Sequence, residues 1–183
     1  MTQAARPLDR YAMCLAVTLV LVTVQGGGAS MALTLSSSAF ASGGAIPKQF
    51  TCDAANLSPA LDWNSAPAGT KALALMVDDP DAPVGTWVHW VVYDLPADAT
   101  GLAQGMPADE TLKNGAKQGV NDFRKVGYGG PCPPAGRPHR YVFKLYALDA
   151  STGLQPRATK ADVFKAIQGH VLAEAQLIGT YQR

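Results

Sequence analysis

The sequence has few charged residues, and its positive and negative charges nearly cancel. Of its 183 residues 16% are charged, and 15 Lys and Arg oppose 14 Asp and Glu, for a formal net charge of +1. A chain this close to neutrality lacks the positive field that nucleic-acid-binding proteins use. Its hydrophobic fraction of 48% also excludes a wholly disordered chain. We therefore expect a folded protein with no nucleic-acid partner.

Long apolar runs are scarce, and the one that stands out lies near the amino terminus. Residues 11–24 carry no charge, follow Arg6 and Arg10, and are fewer than the roughly 20 residues that a membrane-spanning helix needs. Small residues follow at 26–32. This order is typical of a cleaved secretory signal peptide over residues 1–32, and an uncleaved membrane anchor is the alternative.

Removal of the signal peptide would leave residues 33–183, which we predict to be a single domain with no membrane span. The predicted location is periplasmic or secreted. Cysteine is scarce, and only Cys52 and Cys132 lie in this domain. In an exported protein they can pair as a disulfide, and two buried thiols are the alternative.

Helix signals are few in the predicted domain, whereas β-strand patterns recur. Apolar runs bounded by Gly, Pro, Ser and Asp predict strands over residues 33–38, 71–78, 87–95, 140–149 and 175–182. Residues 101–138 are rich in Gly and Pro and are predicted to form a loop. The one strong helix signal follows Thr159, a capping residue, with Asp162 in the first turn. The sequence thus predicts a mainly β domain.

Side chains that can recognise an anion stand at the starts of two predicted strands. His89 and His139 can donate to an anion near neutral pH, and Tyr141 adds a neutral O–H donor. Strict alternation in the strand 87–95 predicts one face with Trp87, His89, Val91 and Tyr93, and the other with Val88, Trp90 and Val92. Each histidine taken alone is also consistent with a core or edge position. The segment DPDAP taken alone is consistent with a pair of ordinary turns.

Six segments, taken together and in order, resemble the phosphatidylethanolamine-binding protein family, most closely its bacterial Raf-kinase-inhibitor-like branch. They are FTCDAANLSPALDW, DDPDAP, WVHWVVYDLP, GVNDFRKVGYGGPCPP, PHRYVFKLYALD and AEAQLIGTYQ. The resemblance covers about residues 40–182. It implies a β-sandwich of mostly antiparallel strands with a few peripheral α-helices. It also implies a pocket at one end that in family members holds phosphate, phosphorylated head groups or acetate.

The same resemblance implies which residues form this pocket. The matching positions are Asp79, Asp81, Pro83, His89, Gly130, His139 and Tyr141. Pro83 matches a proline that often follows a cis peptide bond, and Gly130 a glycine whose backbone N–H meets the anion. An ionised Asp79 would repel a phosphate dianion if its carboxylate faced the ligand. We therefore expect Asp79 to orient a histidine N–H or to be protonated in the complex. Trp87 or Trp90 is expected to form an apolar wall or part of the core.

The sequence therefore predicts an exported protein that binds a small anion or a phosphorylated head group, with no cofactor and no metal. A protein-interaction or inhibitor module, for example a protease inhibitor acting through residues 101–138, is the alternative. An enzyme is disfavoured because the sequence has no spaced metal-ligand pattern and no marked Ser or Cys nucleophile. Inhibition of a signalling kinase is also disfavoured, because an exported protein would not meet the cytosolic partners of the animal relatives.

Overall fold

A computed structural model of the protein describes residues 1–2, 32–64 and 66–183. Most of the predicted signal peptide, residues 3–31, lies outside the described residues. The strands are β1 (Leu35–Ser36), β2 (Leu61–Trp63), β3 (Ala72–Asp79), β4 (Trp87–Pro96), β5 (Gly101–Leu102), β6 (Lys117–Gln118), β7 (His139–Leu148) and β8 (Val171–Tyr181). The described helices are a 3-10 turn (Lys48–Phe50) and α1 (Lys160–Ile167). Within the described ranges, no helix has the length and apolar character needed to cross a membrane.

The strands form two sheets whose strand pairs are all antiparallel. The smaller sheet has the order β1-β2-β5, and the larger has the order β6-β4-β3-β7-β8. The predicted β-sandwich of antiparallel strands is confirmed. Of the few peripheral helices expected, the described residues contain one α-helix and one 3-10 turn.

The larger sheet is covered on both faces. On one face, Leu75 and Phe143 pack against Leu61 of the smaller sheet in the main core. On the other face, Met76 packs with Val163 of α1 in a second, smaller core. All eight residues of β3 are buried as a result. This explains why β3 reads as a continuous apolar run rather than as an alternating one.

Helix α1 begins where its capping signal predicts. The Thr159 side chain accepts a hydrogen bond from the Asp162 amide, and the Asp162 carboxylate accepts one from the Thr159 amide, which completes a capping box. The helix ends at Ile167, and β8 already begins at Val171. The predicted start of the last strand at residue 175 is therefore four residues too late. Val171, Ala173 and Glu174 already pair with β7.

Strand β4 contains a β-bulge, a feature that the alternation of its residues does not indicate. Val88 and Trp90 pair with consecutive residues of β3, so His89 between them is the extra residue. Trp90 then packs in the main core, while Val91 and Tyr93 face α1. The prediction that His89 shares a strand face with Val91 and Tyr93 is wrong, because strict alternation breaks at the bulge.

A disulfide bond joins Cys52 to Cys132, so the paired alternative is the one the structure contains. The two Cα atoms lie 5.4 Å apart, and the residues are separated by 80 positions in sequence. The bond ties the loop after the 3-10 turn to the Gly- and Pro-rich segment that precedes β7. That segment forms part of the cavity described next.

Candidate functional site

A cavity of about 210 Å³ opens at one end of the larger sheet, where β3 ends and β4 and β7 begin. Asp79 is the last residue of β3, His139 is the first residue of β7, and His89 is the bulged residue of β4. All three are buried and line this cavity, which we call the two-histidine cavity. The rest of the lining is Ala82, Pro83, Val84, Trp87, Phe123, Cys132, Pro133 and Pro134.

His139 is held by the carboxylate of Asp79. Its Nδ1–H donates to Asp79 Oδ2 over 2.8 Å, and both side chains are 5% exposed. The other carboxylate oxygen of Asp79 accepts the Asp81 amide over 2.8 Å. Asp79 thus takes the position expected of a residue that orients a histidine. Because Nδ1 is occupied, Nε2 is the nitrogen of His139 that is left for a ligand.

His89 is oriented by a backbone carbonyl. A carbonyl oxygen only accepts, so the 2.6 Å contact with Gly129 O makes Nδ1 the protonated nitrogen of His89. The ring also makes edge contacts with Phe123 and Tyr141, with centroids 5.3 and 5.1 Å apart. Burial lowers the pKa of His89 below its ordinary value of 6.5, although the Gly129 hydrogen bond and nearby carboxylates partly oppose this effect. The free Nε2 of a neutral His89 is then a hydrogen-bond acceptor.

The lowered pKa of His89 predicts that the free energy of unfolding falls in mild acid. Below about pH 6.5 the unfolded state binds a proton at His89 that the native state resists, so stability is lost as the pH falls toward the lower native pKa. Urea unfolding at a series of pH values measures this loss. His89→Asn, whose amide can still donate to Gly129, should show a smaller loss between pH 7 and 5. If both proteins lose the same free energy of unfolding between pH 7 and 5, His89 is not the cause of the loss.

Two of the residues implied by the resemblance lie beside the cavity rather than in its lining. Asp81 accepts two hydrogen bonds of 2.9 Å from the Arg140 guanidinium and one of 3.0 Å from the Arg140 amide. The Arg140 side-chain bonds hold the pKa of Asp81 well below its usual range. Tyr141 lies against the His89 ring, and its buried hydroxyl has no hydrogen-bond partner among the described residues. Burial and then the charge of Asp79 raise the pKa of Tyr141, so the hydroxyl stays neutral.

Gly130 is not brought to the cavity. Its amide, which the resemblance assigns to the anion, donates to Asn56 Oδ1 over 2.8 Å. A Cβ atom at this position would collide with that oxygen and with the Phe50 carbonyl, so close packing accounts for the glycine. Pro83 does line the cavity. The peptide bond before Pro83 is trans, as is every peptide bond in the described ranges, so the cis bond that often occurs at the matching family position is not present here.

Trp87, expected to form an apolar wall or part of the core, also has a polar atom to offer a ligand. It lines the cavity, and its buried Nε1–H has no acceptor among the described residues. Trp90, by contrast, donates its Nε1–H to Gln118 over 2.7 Å and belongs to the main core. The sequence signal for this difference was weak, because alternation separates Trp87 from Trp90 without showing which of the two lies at a cavity. As for metals, the described part of the chain contains no cluster of three or more His, Cys, Asp or Glu placed to hold an ion.

Comparison with known proteins gives consistent results. The sequence model of the family described as "Phosphatidylethanolamine-binding protein" matches residues 36–182. A UPF0098 protein of Methanothermobacter thermautotrophicus is 50% identical over 82% of this chain and 99% of its own length. One from Aquifex aeolicus is 48% identical over 86% of this chain and 91% of its own length.

Two solved structures share the fold. A phosphatidylethanolamine-binding protein homologue from Chlamydia trachomatis is 39% identical, with a TM-score of 0.76, over 83% of this chain and 98% of its own. E. coli YbcL, described as a new member of the mammalian family, is 35% identical with a TM-score of 0.77, over 82% of this chain and 98% of its own.

Proposed function

The chain belongs to the phosphatidylethanolamine-binding protein family, and from that premise we propose that its two-histidine cavity binds a small anion or a phosphorylated head group. One observation carries the proposal. His89 and His139 both line the cavity, and each has its Nδ1–H bonded to a protein acceptor. Each Nε2 is therefore free for a ligand, in a ring that the protein has already oriented. Such pre-orientation lowers the entropic cost of binding a small group.

The charges around the cavity favour a monoanion over a dianion. No Lys or Arg is among the residues lining it, and Asp79 contributes a negative charge. With Nδ1–H bonded to the Asp79 carboxylate, an imidazolium form of His139 would make a neutral pair with Asp79 and would donate from Nε2. A neutral His89 accepts at Nε2. A phosphate monoanion matches this pair, since one oxygen accepts from His139 while its P–O–H group donates to His89.

The lining also predicts which part of a larger ligand would stay outside. Val84 is 78% exposed at the cavity, and Pro134 is exposed as well. These apolar side chains can contact the carbon atoms attached to a phosphoryl group. A larger cavity of about 650 Å³ beside α1 contains neither histidine, so we do not assign the anion to it.

A titration at two pH values tests the proposal. Phosphoethanolamine should bind about tenfold more tightly near pH 5.5 than near pH 7.5, because phosphomonoesters become monoanions below roughly pH 6. NMR signals of His89 and His139 measure the binding, and ethanolamine without phosphate is the matched control. No shift at millimolar phosphoethanolamine, or tighter binding at the higher pH, would overturn the proposal.

We propose further that the protein binds without catalysis and acts after export. The cavity lining offers no hydroxyl and no free thiol as a nucleophile. The disulfide supports export, because such bonds persist in oxidising compartments. A phosphatase and esterase screen tests the first point, with no turnover expected. Cell fractionation followed by mass spectrometry tests the second, with a chain beginning at residue 33 expected in the envelope fraction; recovery of the protein from the cytoplasm alone would contradict it.

A further inference from the structure

The disulfide bond is part of the wall of the two-histidine cavity, and it lies at the surface. Cys132 lines the cavity beside Pro133 and Pro134. Both Cys52 and Cys132 are exposed residues, and both line a second cavity of about 230 Å³ next to the first. Solvent and small solutes can therefore approach the bond from the side away from the histidines.

The chain around Cys132 also positions His89. The Gly129 amide donates to the His89 carbonyl over 2.9 Å, and the Gly129 carbonyl accepts the His89 Nδ1–H. On its other side, this segment is tied to the loop after the 3-10 turn. Cys52 donates its amide to the Pro131 carbonyl over 3.0 Å, and the disulfide lies next to that bond. The disulfide is thus the covalent link between that loop and the cavity wall.

An arginine lies beside one of the two sulfur atoms. Arg183 Nη1 is 3.9 Å from Cys132 Sγ, and its Nε is 3.1 Å from the Asp53 carboxylate, which fixes the guanidinium. A neighbouring guanidinium stabilises a thiolate and lowers the pKa of the corresponding thiol. In thiol–disulfide exchange, the sulfur that forms the more stable thiolate is the better leaving group. Cys132 is therefore the expected leaving sulfur, and Cys52 the sulfur that is attacked.

We propose that Cys52–Cys132 is a thiol-exchange site that regulates ligand binding, an inference that rests on the proposed function of the adjoining cavity. The thiolate of a low-molecular-weight thiol attacks Cys52 Sγ and forms a mixed disulfide. The Cys52–Cys132 bond breaks, and its electron pair leaves on Cys132 as a thiolate beside Arg183. A second thiolate then attacks the external sulfur of the mixed disulfide. This step releases Cys52 as a thiolate and yields the oxidised dimer of the small thiol.

Opening the bond weakens the attachment of the cavity wall. The hydrogen bonds from Cys52 to Pro131 and from Gly130 to Asn56 remain, whereas the covalent link at Cys132 is lost. Pro133 and Pro134 then gain freedom, so the cavity no longer holds a ligand from that side. His89 stays oriented through Gly129. We expect the reduced protein to stay folded and to bind phosphoethanolamine at least fivefold more weakly than the oxidised protein, with full recovery on reoxidation.

The site of attack is tested with glutathione as the probe. Brief exposure of the full chain, trapping of free thiols and peptide mapping should give an adduct on Cys52 and a trapped thiol on Cys132. Arg183→Met should slow cleavage by about threefold or more. The matched control is Arg157→Met, which removes an exposed arginine paired with Glu110, and it should leave the rate unchanged. An adduct mainly on Cys132, or equal rates for the two variants, overturns the assignment.

Regulation is tested by titrating phosphoethanolamine into oxidised, reduced and reoxidised protein, with near-ultraviolet circular dichroism as the measure of folding. Equal affinity in the oxidised and reduced forms overturns the regulatory role. Loss of the near-ultraviolet signal on reduction overturns it too, because the proposal requires a folded reduced state. If the oxidised protein does not bind phosphoethanolamine at all, the proposed function fails. The adduct position and the Arg183→Met rate still decide whether the exchange site exists.

Discussion

Substitution of His139 by Asn is expected to weaken phosphoethanolamine binding by about tenfold or more while leaving the fold intact. The Asn amide can replace the Nδ1–H that donates to Asp79 over 2.8 Å, so the buried carboxylate keeps a partner. What the variant lacks is Nε2, the group that we propose donates to the anion. Loss of one hydrogen bond to a charged group costs about 1.5–3 kcal/mol, which corresponds to at least a tenfold loss of affinity. Calorimetry near pH 5.5 measures the change.

His170 provides a matched control for this experiment. It makes the same kind of contact, from Nδ1 to Asp149 Oδ1 over 2.7 Å, but the pair is about half exposed and lies outside the cavity lining. His170→Asn should therefore bind phosphoethanolamine as the unchanged protein does. If His139→Asn keeps full affinity, or if both variants lose it equally, His139 does not contact the ligand.

Removal of the disulfide in a Cys52→Ser, Cys132→Ser double variant is expected to lower the free energy of unfolding by about 4 kcal/mol. The bond closes a long loop, since its cysteines are 80 positions apart, and the chain-entropy model assigns a cost of that size to such a loop. The free energy of unfolding of an ordinary domain is about 5–15 kcal/mol, so the variant should still fold. Urea unfolding, with the midpoint and slope analysed together, measures the loss.

Reducing agent supplies the control for the disulfide measurement. The oxidised protein should lose most of the same free energy when reductant is added, whereas the double variant should not respond. If the free energy of unfolding of the double variant is less than about 1 kcal/mol below that of the oxidised protein, the loop is already constrained in the unfolded state. A response of the double variant to reductant would show that the effect does not come from this bond.

The elements that the sequence predicted correctly depend on local signals. The continuous apolar run of β3 and the capping box at Thr159 are both readable from a few neighbouring residues. The short strands β2, β5 and β6 were missed because they have only two or three residues each. Their pairing depends on distant partners, such as Leu61 with Leu102, rather than on a local pattern.

The cavity was only partly predictable for a similar reason. His89 and His139 meet because antiparallel strands bring together residues that are far apart in sequence, and the family resemblance supplied this expectation. The bulge at His89 breaks the alternation from which strand faces are read. Gly130 was assigned to the anion, yet its amide is bonded to Asn56, which lies 74 positions earlier in the sequence. Contacts of that range leave no mark in local sequence.

The most direct test of the central claim is a crystal structure of the oxidised protein with phosphoethanolamine, grown near pH 5.5 at a concentration that titration shows to be saturating. The proposal predicts a phosphoryl group in the two-histidine cavity, with one oxygen within hydrogen-bond distance of His89 Nε2 and another within that distance of His139 Nε2. A phosphoryl group bound elsewhere, with only solvent between the two histidines, would contradict the claim.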